Sequence, residues 1–338
     1  MRRVAPGKIR MGEIARLASV SESTVSRALA GNSQIPEATR RRVAAIAAEH
    51  GYRLNPVARS LRTGETKVIG VTVPLSHSDT QHLTDPFFMS ILAHVADQLS
   101  VLGYDTLLRR TSTADPFWMK EALESYRTDG LIVIGQSFNH KTLNEAAVAG
   151  APLVVWGAHL RGQKYVSVGT NNRQGGSLAT EHLLAKGRKD VVFMGDIALP
   201  EVKHRHEGYR RALSDAGRPA PDKLLVPVGF TADEACAATR ALLASGVKFD
   251  GIVAASDVIA LGAIRVLQSS GKSVPTDVSV VGYDDIMIAS LASPALTTIR
   301  QDIRFAAQLL VERLLSIIKG TPLPSIEIPA ILVERASS

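Results

Sequence analysis

Residues 20–31 read VSESTVSRALAG, and their pattern decides the N-terminal part of the chain. Ser21 is a good N-cap, because its hydroxyl accepts from an amide that the first helical turn leaves unpaired. Val25, Ala28 and Leu29 fall on one face of a helix over 22–30, and Gly31 stops it. Upstream, Ile14, Leu17 and Ala18 have the i, i+3, i+4 spacing of a first helix, with Glu13 in its early turns. Two short helices joined by about three residues have the form of a helix-turn-helix. In that geometry the N-terminal residues of the second helix enter a DNA major groove. Glu22, Ser23, Ser26 and Arg27 then face base edges or nearby phosphates, and Thr24 holds the backbone. Arg27 is the candidate for a bidentate guanine contact.

A third helix is expected from about Pro36, through Val43, Ile46 and Ala47, to Gly51. Residues 55–64 follow as NPVARSLRTG. Asn55 caps, Pro56 suits the first helical position, and Gly64 ends a helix of only about two turns. So short a helix does not stand alone. Its apolar residues Val57, Ala58 and Leu61 need a partner: a second copy of the segment, a nucleic-acid groove, or the chain's own body. A leucine in such a place can act as a wedge between base steps of the minor groove.

The charge follows the same division. Residues 1–66 hold twelve Lys/Arg and five Glu, a net +7, while the whole chain is also +7, so residues 67–338 are neutral. A basic module on a neutral body points to a polyanion as the module's partner and a separate task for the body. At 338 residues the chain is too long for one ordinary domain. Its N-terminus is basic without a continuous apolar stretch, so no signal peptide is expected, and no run approaches the length of a membrane span. The lone Cys236 has no internal disulfide partner and is expected as a buried thiol. A cytoplasmic protein is the expectation.

From Val68 onward, near-continuous apolar runs alternate with amphipathic stretches. Buried parallel strands are expected at 68–74, 106–108, 131–134, 153–156, 191–194, 224–228, 252–255 and 278–281. Helices are expected at 87–102, 175–186, 204–216 and 257–268, each closed by a glycine. The alternation implies doubly wound parallel sheets, and the length implies two lobes. Ligands of such sheets sit beyond the carboxyl ends of the strands. The candidates there are Leu75–His77, Trp156-Gly157, Ser256-Asp257 and Asp284-Asp285, with Arg205 early in its helix.

The segments VSESTVSRALAG, ATRRRV and NPVARSLRTG closely resemble the DNA-binding head and hinge helix of the lactose-repressor (LacI) family. The resemblance continues through DPFFMSIL, NNRQGGSLATEHLLAKG, RHEGYRRAL, SDVIALGAIRVL, VSVVGYDD and LTTIRQD, and covers essentially the whole chain. It implies an all-α helix-turn-helix head (1–54), a hinge helix and linker (55–66) and a periplasmic-binding-protein-like α/β core (67–338). The core's lobes would comprise 67–160 with 298–322, and 161–297 with 323–338. Met11, Ser21, Glu22, Ser23, Thr24, Ser26 and Arg27 match DNA-contacting positions of the head. Tyr52 and Asn55 match phosphate-side positions, and Ala58 and Leu61 the minor-groove pair of the hinge. In the core, Arg205 and Asp284 match the effector-binding arginine and aspartate, Phe230 an aromatic wall, and Ser256 an effector-facing Asn of some members.

Some residues depart from the family's pattern. Ser19 stands where the turn usually has Gly, so a left-handed residue there is strained. Arg10 replaces a helix-capping Thr, and Ala30 a polar residue. Trp156-Gly157 replaces an Asp common in sugar-binding members, offering an indole in place of a hydroxyl acceptor. The stretch 75–84, LSHSDTQHLT, is longer than usual and sits at the cleft mouth, where either His77, Ser78 and Asp79 add polar contacts or the loop is simply mobile.

The resemblance implies a homodimeric transcriptional repressor on operator DNA, controlled by a small-molecule effector, a mono- or disaccharide inducer before a purine, with no cofactor. A sugar-binding protein without a DNA role would share the body but not the basic head. An enzyme would need a nucleophile with a base or a metal cluster, and no HExxH, GxSxG, P-loop or GxGxxG is present. His204 and His206 flank Arg205 but do not share a helix face.

Overall fold

A computed structural model describes residues 9–52, 64–75, 81–111, 118–124 and 128–338. The chain divides into two compact units, Met1–Thr66 and Lys67–Ser338.

In the head, α1 (Met11–Leu17), α2 (Glu22–Leu29) and α3 (Glu37–Glu49) enclose a small core of Ile14, Ala15, Ala18, Val25, Ala28, Ile35 and Val43. Ala15 takes the inward place expected of Leu17, which is 44% exposed. Ser21 caps α2 by accepting from the Thr24 amide at 3.2 Å. The Glu13 carboxylate takes the Arg10 amide at 2.9 Å, so α1 is closed although Arg10 has no capping hydroxyl. Ser19, in the turn, has φ +52°, the left-handed conformation anticipated for it. Pro36 stands at the N-cap of α3, one place earlier than expected.

The second unit holds two six-stranded sheets. The first has the order β11-β5-β4-β3-β1-β2, built from β1 (Val68–Pro74), β2 (Asp105–Thr111), β3 (Gly130–Ile134), β4 (Leu153–Trp156), β5 (Val166–Thr170) and β11 (Ile326–Ile328). The second has the order β12-β10-β9-β8-β6-β7, from β6 (Val191–Met194), β7 (Leu225–Val226), β8 (Gly251–Ala254), β9 (Ser279–Asp284), β10 (Thr297–Arg300) and β12 (Ile331–Val333). All described pairings are parallel except β10 with β12.

Strand membership differs from the expected lobe limits. β5 pairs with β4 and belongs to the first sheet, so the chain crosses near 171 rather than 161. β10 belongs to the second sheet and β11 to the first, which moves the return crossings to 301–302 and 329–330. These strands were not apparent because Ser167, Thr170, Thr297 and Thr298 interrupt the apolar pattern, although all four are buried.

Helices α4 (Pro86–Val101) and α12 (Ile303–Ile318) pack together beside the first sheet. α7 (Asn172–Ala185) packs on α8 (Pro200–Asp215), and α9 (Ala232–Ala244) on α10 (Asp257–Ser269), in the second lobe. The α7–α8 contact is backbone on backbone: a Cβ on Gly176 would collide with the carbonyl of Arg205, and one on Gly208 with that of Arg173. Two glycines therefore fix where Arg205 stands. Cys236 is buried on α9, as expected.

Candidate nucleic-acid interface and ligand cleft

On α2, Ser23 and Arg27 are exposed one helical turn apart, and the Arg27 Nε donates to the Ser23 carbonyl at 3.3 Å. Ser21, Ser23 and Thr24 share hydroxyl contacts of 2.8 Å at the helix start. Glu22 is exposed and leans towards Gly12 of α1. Its charge and, more strongly, burial raise the Tyr52 phenol above its ordinary value, so Glu22 and Tyr52 lie near each other. Ser26 differs from its neighbours in the expected row. It retains only 9% of its surface, because it follows Val25 and stands one turn before Leu29, at the edge of the packed stripe. Met11 packs partly against the head core. Arg40 donates to the Gly31 carbonyl at 3.3 Å and Arg41 pairs with Glu37 on α3. The expected hinge residues Asn55, Ala58 and Leu61 lie outside the described residues.

In the second unit, one cleft lies at the carboxyl ends of both sheets. It measures about 690 Å³ with its open mouth, and Trp156, Arg205, Phe230, Ser256 and Asp284 all line it. Arg205 is buried on α8. Its Nε donates to Asn172 Oδ1 at 2.8 Å, another guanidinium nitrogen donates to the Ala255 carbonyl, and its Cζ lies 3.7 Å from the Tyr283 ring centroid. Asp284 has φ +117° and accepts from Gln301 Nε2 at 2.7 Å. Burial holds its carboxyl well above the usual range, and the charges of Asp257 and Asp85 push the same way, against Arg205 and the Gln301 hydrogen bond. Ser256 caps α10 by accepting from the Ile259 amide at 3.2 Å while forming part of the wall.

The aromatic side is broader than the sequence suggested. Phe87 lies 6.2 Å from Trp156 and 5.9 Å from Phe88, centroid to centroid, and all three line the cleft with Phe230. Asp85 caps α4 with hydrogen bonds to the Phe87 and Phe88 amides at 2.9 and 3.4 Å. Burial raises its carboxyl too. Asp85 and the two phenylalanines belong to the DPFF motif, which opens α4 at the cleft. Gln81, from the 75–84 stretch expected at the cleft mouth, lines the cleft, as do Ser137, Glu201 and Gln301, which were not foreseen.

Several strand-end candidates stand elsewhere. Asp257 is fully buried, accepting from Thr298 Oγ1 at 2.5 Å and the Ile286 amide at 2.9 Å. Asp285 forms ion pairs with Arg300 at 2.7 Å and Arg335 at 2.6 Å. The neighbouring aspartates Asp284 and Asp285 thus do unlike work. Leu75 is buried away from the cleft wall, and His77, Ser78 and Asp79 lie outside the described residues. His206 stacks on Tyr209 at 5.5 Å, while burial pushes His204 down to about 4. Among the described residues, no helix is long and apolar enough to cross a membrane.

Residues 10–55 match the model of the "Bacterial regulatory proteins, lacI family", and residues 180–338 that of the "Periplasmic binding protein-like domain". The chain is 32% identical to the ribose operon repressor of Haemophilus influenzae, over 92% of each chain. It is 34% identical to the HTH-type transcriptional regulator CelR of Thermobifida fusca, over 89% of this chain and 90% of that protein. Among solved structures, the lac repressor dimer bound to operator and the anti-inducer ONPF superposes with a TM-score of 0.85 at 28% identity, covering 97% of this chain and 98% of that one. A CelR–cellobiose complex gives 0.73 at 28% identity, covering 98% and 100%. On this similarity, which spans both units, the chain belongs to the lacI family of bacterial transcriptional regulators.

Proposed function

We propose that this effector-controlled DNA-binding repressor is a homodimer acting in the cytoplasm on a near-palindromic operator, and that a mono- or disaccharide is its inducer. The observation that carries the saccharide reading is the composition of the cleft lining: Arg205, Asp284 and Phe230 from the second lobe, and Trp156, Phe87 and Phe88 from the first. Hydroxyl groups suit a guanidinium donor and a carboxyl acceptor, and the apolar face of a sugar ring suits an aromatic surface. The relative whose structure holds cellobiose supports the same class.

Arg27 would read a base edge, with Ser21, Glu22, Ser23, Thr24, Ser26, Met11, Tyr52 and Asn55 positioning the head. Ala58 and Leu61 would enter the central minor groove from two paired hinge segments. Ligand binding would change the relative orientation of the lobes and so the spacing of those segments, coupling the two sites. Self-association is supported by the short helix α11 (Met287–Leu291), where Met287, Ile288 and Leu291 are 82%, 51% and 74% exposed.

A thermal-shift screen of sugars and purines tests the effector class, since a ligand that binds the folded state must raise Tm. The expected result is stabilisation by a saccharide that also releases the operator. Stabilisation by a purine and by no sugar would overturn the reading.

A further inference from the structure

The cleft carries a carboxylate that the residues discussed so far do not account for. Glu201 follows Pro200 in the first turn of α8, one helical turn ahead of Arg205, and lines the cleft. Its Oε1 is buried and has no hydrogen-bond partner among the described residues. Each of the two other carboxyl groups lining the cleft already accepts a hydrogen bond within the protein. Asp85 accepts the Phe87 and Phe88 amides, and Asp284 accepts from Gln301. Among the described residues, Glu201 alone of the three leaves a buried oxygen without a donor.

An unpaired buried oxygen is costly, and a ligand that brings a hydrogen-bond donor to it removes that cost. The balance of charge matters as well. Among the described lining residues Arg205 is the one cation, and two of its nitrogens are turned to Asn172 and Ala255. A ligand carrying its own phosphate or carboxylate meets a wall that is short of cations, in a setting where charges are poorly screened.

We propose that Glu201 sets the specificity of the cleft: it accepts a hydroxyl of an uncharged saccharide and excludes sugar phosphates and uronic acids. This rests on the reading of the cleft as a saccharide site. It adds a rule about charge to that reading, and it names a residue that binds no DNA and carries no part of the Arg205–Asp284 arrangement.

The test uses the full chain and isothermal titration calorimetry. Uncharged mono- and disaccharides, cellobiose among them, are titrated first, followed by the 6-phosphate and the uronic acid of the best binder. The wild type is expected to bind the uncharged sugar and to bind both anionic counterparts at least about a hundredfold more weakly. Glu201→Gln is expected to weaken the uncharged sugar roughly tenfold or more, the worth of a hydrogen bond to a charged acceptor, and to narrow the gap to the anionic forms. Glu201→Ser, a smaller change at a helix start that tolerates serine, should move both affinities in the same direction. Equal wild-type affinity for charged and uncharged forms, or unchanged affinities in both variants, would overturn the role of Glu201 and leave the saccharide reading standing. Binding of no saccharide at all would overturn the saccharide reading itself, and the specificity rule with it.

Discussion

Gln301 donates a 2.7 Å hydrogen bond to Asp284, and so a residue of an interlobe crossing holds a residue of the cleft wall. Gln301 follows the last residue of β10 in the second lobe and precedes α12, which packs in the first. A ligand that engages Asp284 therefore competes with, or reinforces, a contact made at the point where the lobes join.

That relationship makes Asp284 a test of coupling. Asp284→Asn keeps the shape and an acceptor for Gln301 but removes the carboxyl group. Operator binding without ligand should stay close to wild type, while saccharide affinity falls roughly threefold to tenfold, the range for an ordinary hydrogen bond. Fluorescence anisotropy of labelled operator, with and without sugar, measures both. Release of the variant at the wild-type sugar concentration would show that the effector does not engage Asp284.

Asp257 makes a pH prediction whose sign is fixed by its burial. Burial pushes its carboxyl up to about 7, with Asp285 adding to the rise and Thr298, the Ile286 amide and Arg335 opposing it. A carboxyl in the unfolded chain titrates near 3.9, roughly. Between those values the folded chain keeps a proton that the unfolded chain has lost. The contribution to stability is therefore complete below about pH 4 and is lost as pH rises through about 7. Within that window the loss runs at up to about 1.4 kcal/mol per pH unit. Thermal melts of wild type and Asp257→Asn between pH 5 and 8 should show a steeper decline in the wild type. Parallel curves would place the proton elsewhere.

What the sequence revealed follows from which interactions are local. β1, β4 and β6 have the limits expected of them because a strand buried on both faces is a continuous apolar run. β5 and β10 escaped notice because buried polar residues interrupt their apolar runs: Ser167 accepts from Gln163 at 2.8 Å, and Thr298 donates to the distant Asp257. The expected strand at 224–228 shrinks to Leu225–Val226 at a sheet edge, behind a 3₁₀ turn at Asp222–Leu224. In the cleft, Trp156, Ser256 and Asp284 stand at or beside strand ends, a position that can be read from chain order alone. Gln301 also stands beside a strand end, but its strand β10 is hidden by Thr297 and Thr298, and the role of Glu201 arises only when two lobes close one space. Phe230 was placed by family resemblance, with no independent local signal.

The glycines between α7 and α8 should be intolerant of a single added carbon. A Cβ at Gly208 meets the Arg173 carbonyl and the Ser177 amide, backbone atoms that cannot swing aside. Gly208→Ala should destabilise the core unit on the order of 3 kcal/mol, the upper end for overpacking. It should also weaken sugar binding, because α8 carries Arg205. Chemical denaturation followed by Trp fluorescence reads the first effect, and calorimetry the second. A variant as stable as wild type would mean that the helices separate at little cost.

Ser19 offers the opposite case, a position that carries backbone strain. Its φ of +52° is the left-handed conformation that costs an L-residue about 1 kcal/mol and a glycine almost nothing. Ser19→Gly relieves that strain but frees the unfolded chain, which returns part of the gain. The net effect on the head should be a stabilisation of about 0.5 kcal/mol, read as slower amide exchange in α1 and α2 with the core unit unchanged.

Arg27 separates two kinds of DNA contact. It is exposed on α2, one turn beyond Ser23 and on the same face. If it forms a bidentate contact with a guanine, Arg27→Ala should lose about 1–3 kcal/mol against the preferred operator and much less against operators changed at one particular base pair. A phosphate contact would instead weaken every sequence alike and reduce the slope of log affinity against log salt by about one. Binding measured on a set of single-base operator variants at two salt concentrations distinguishes the two. Uniform weakening would leave the sequence reading to Ser21, Glu22 and Ser23 at the start of the helix.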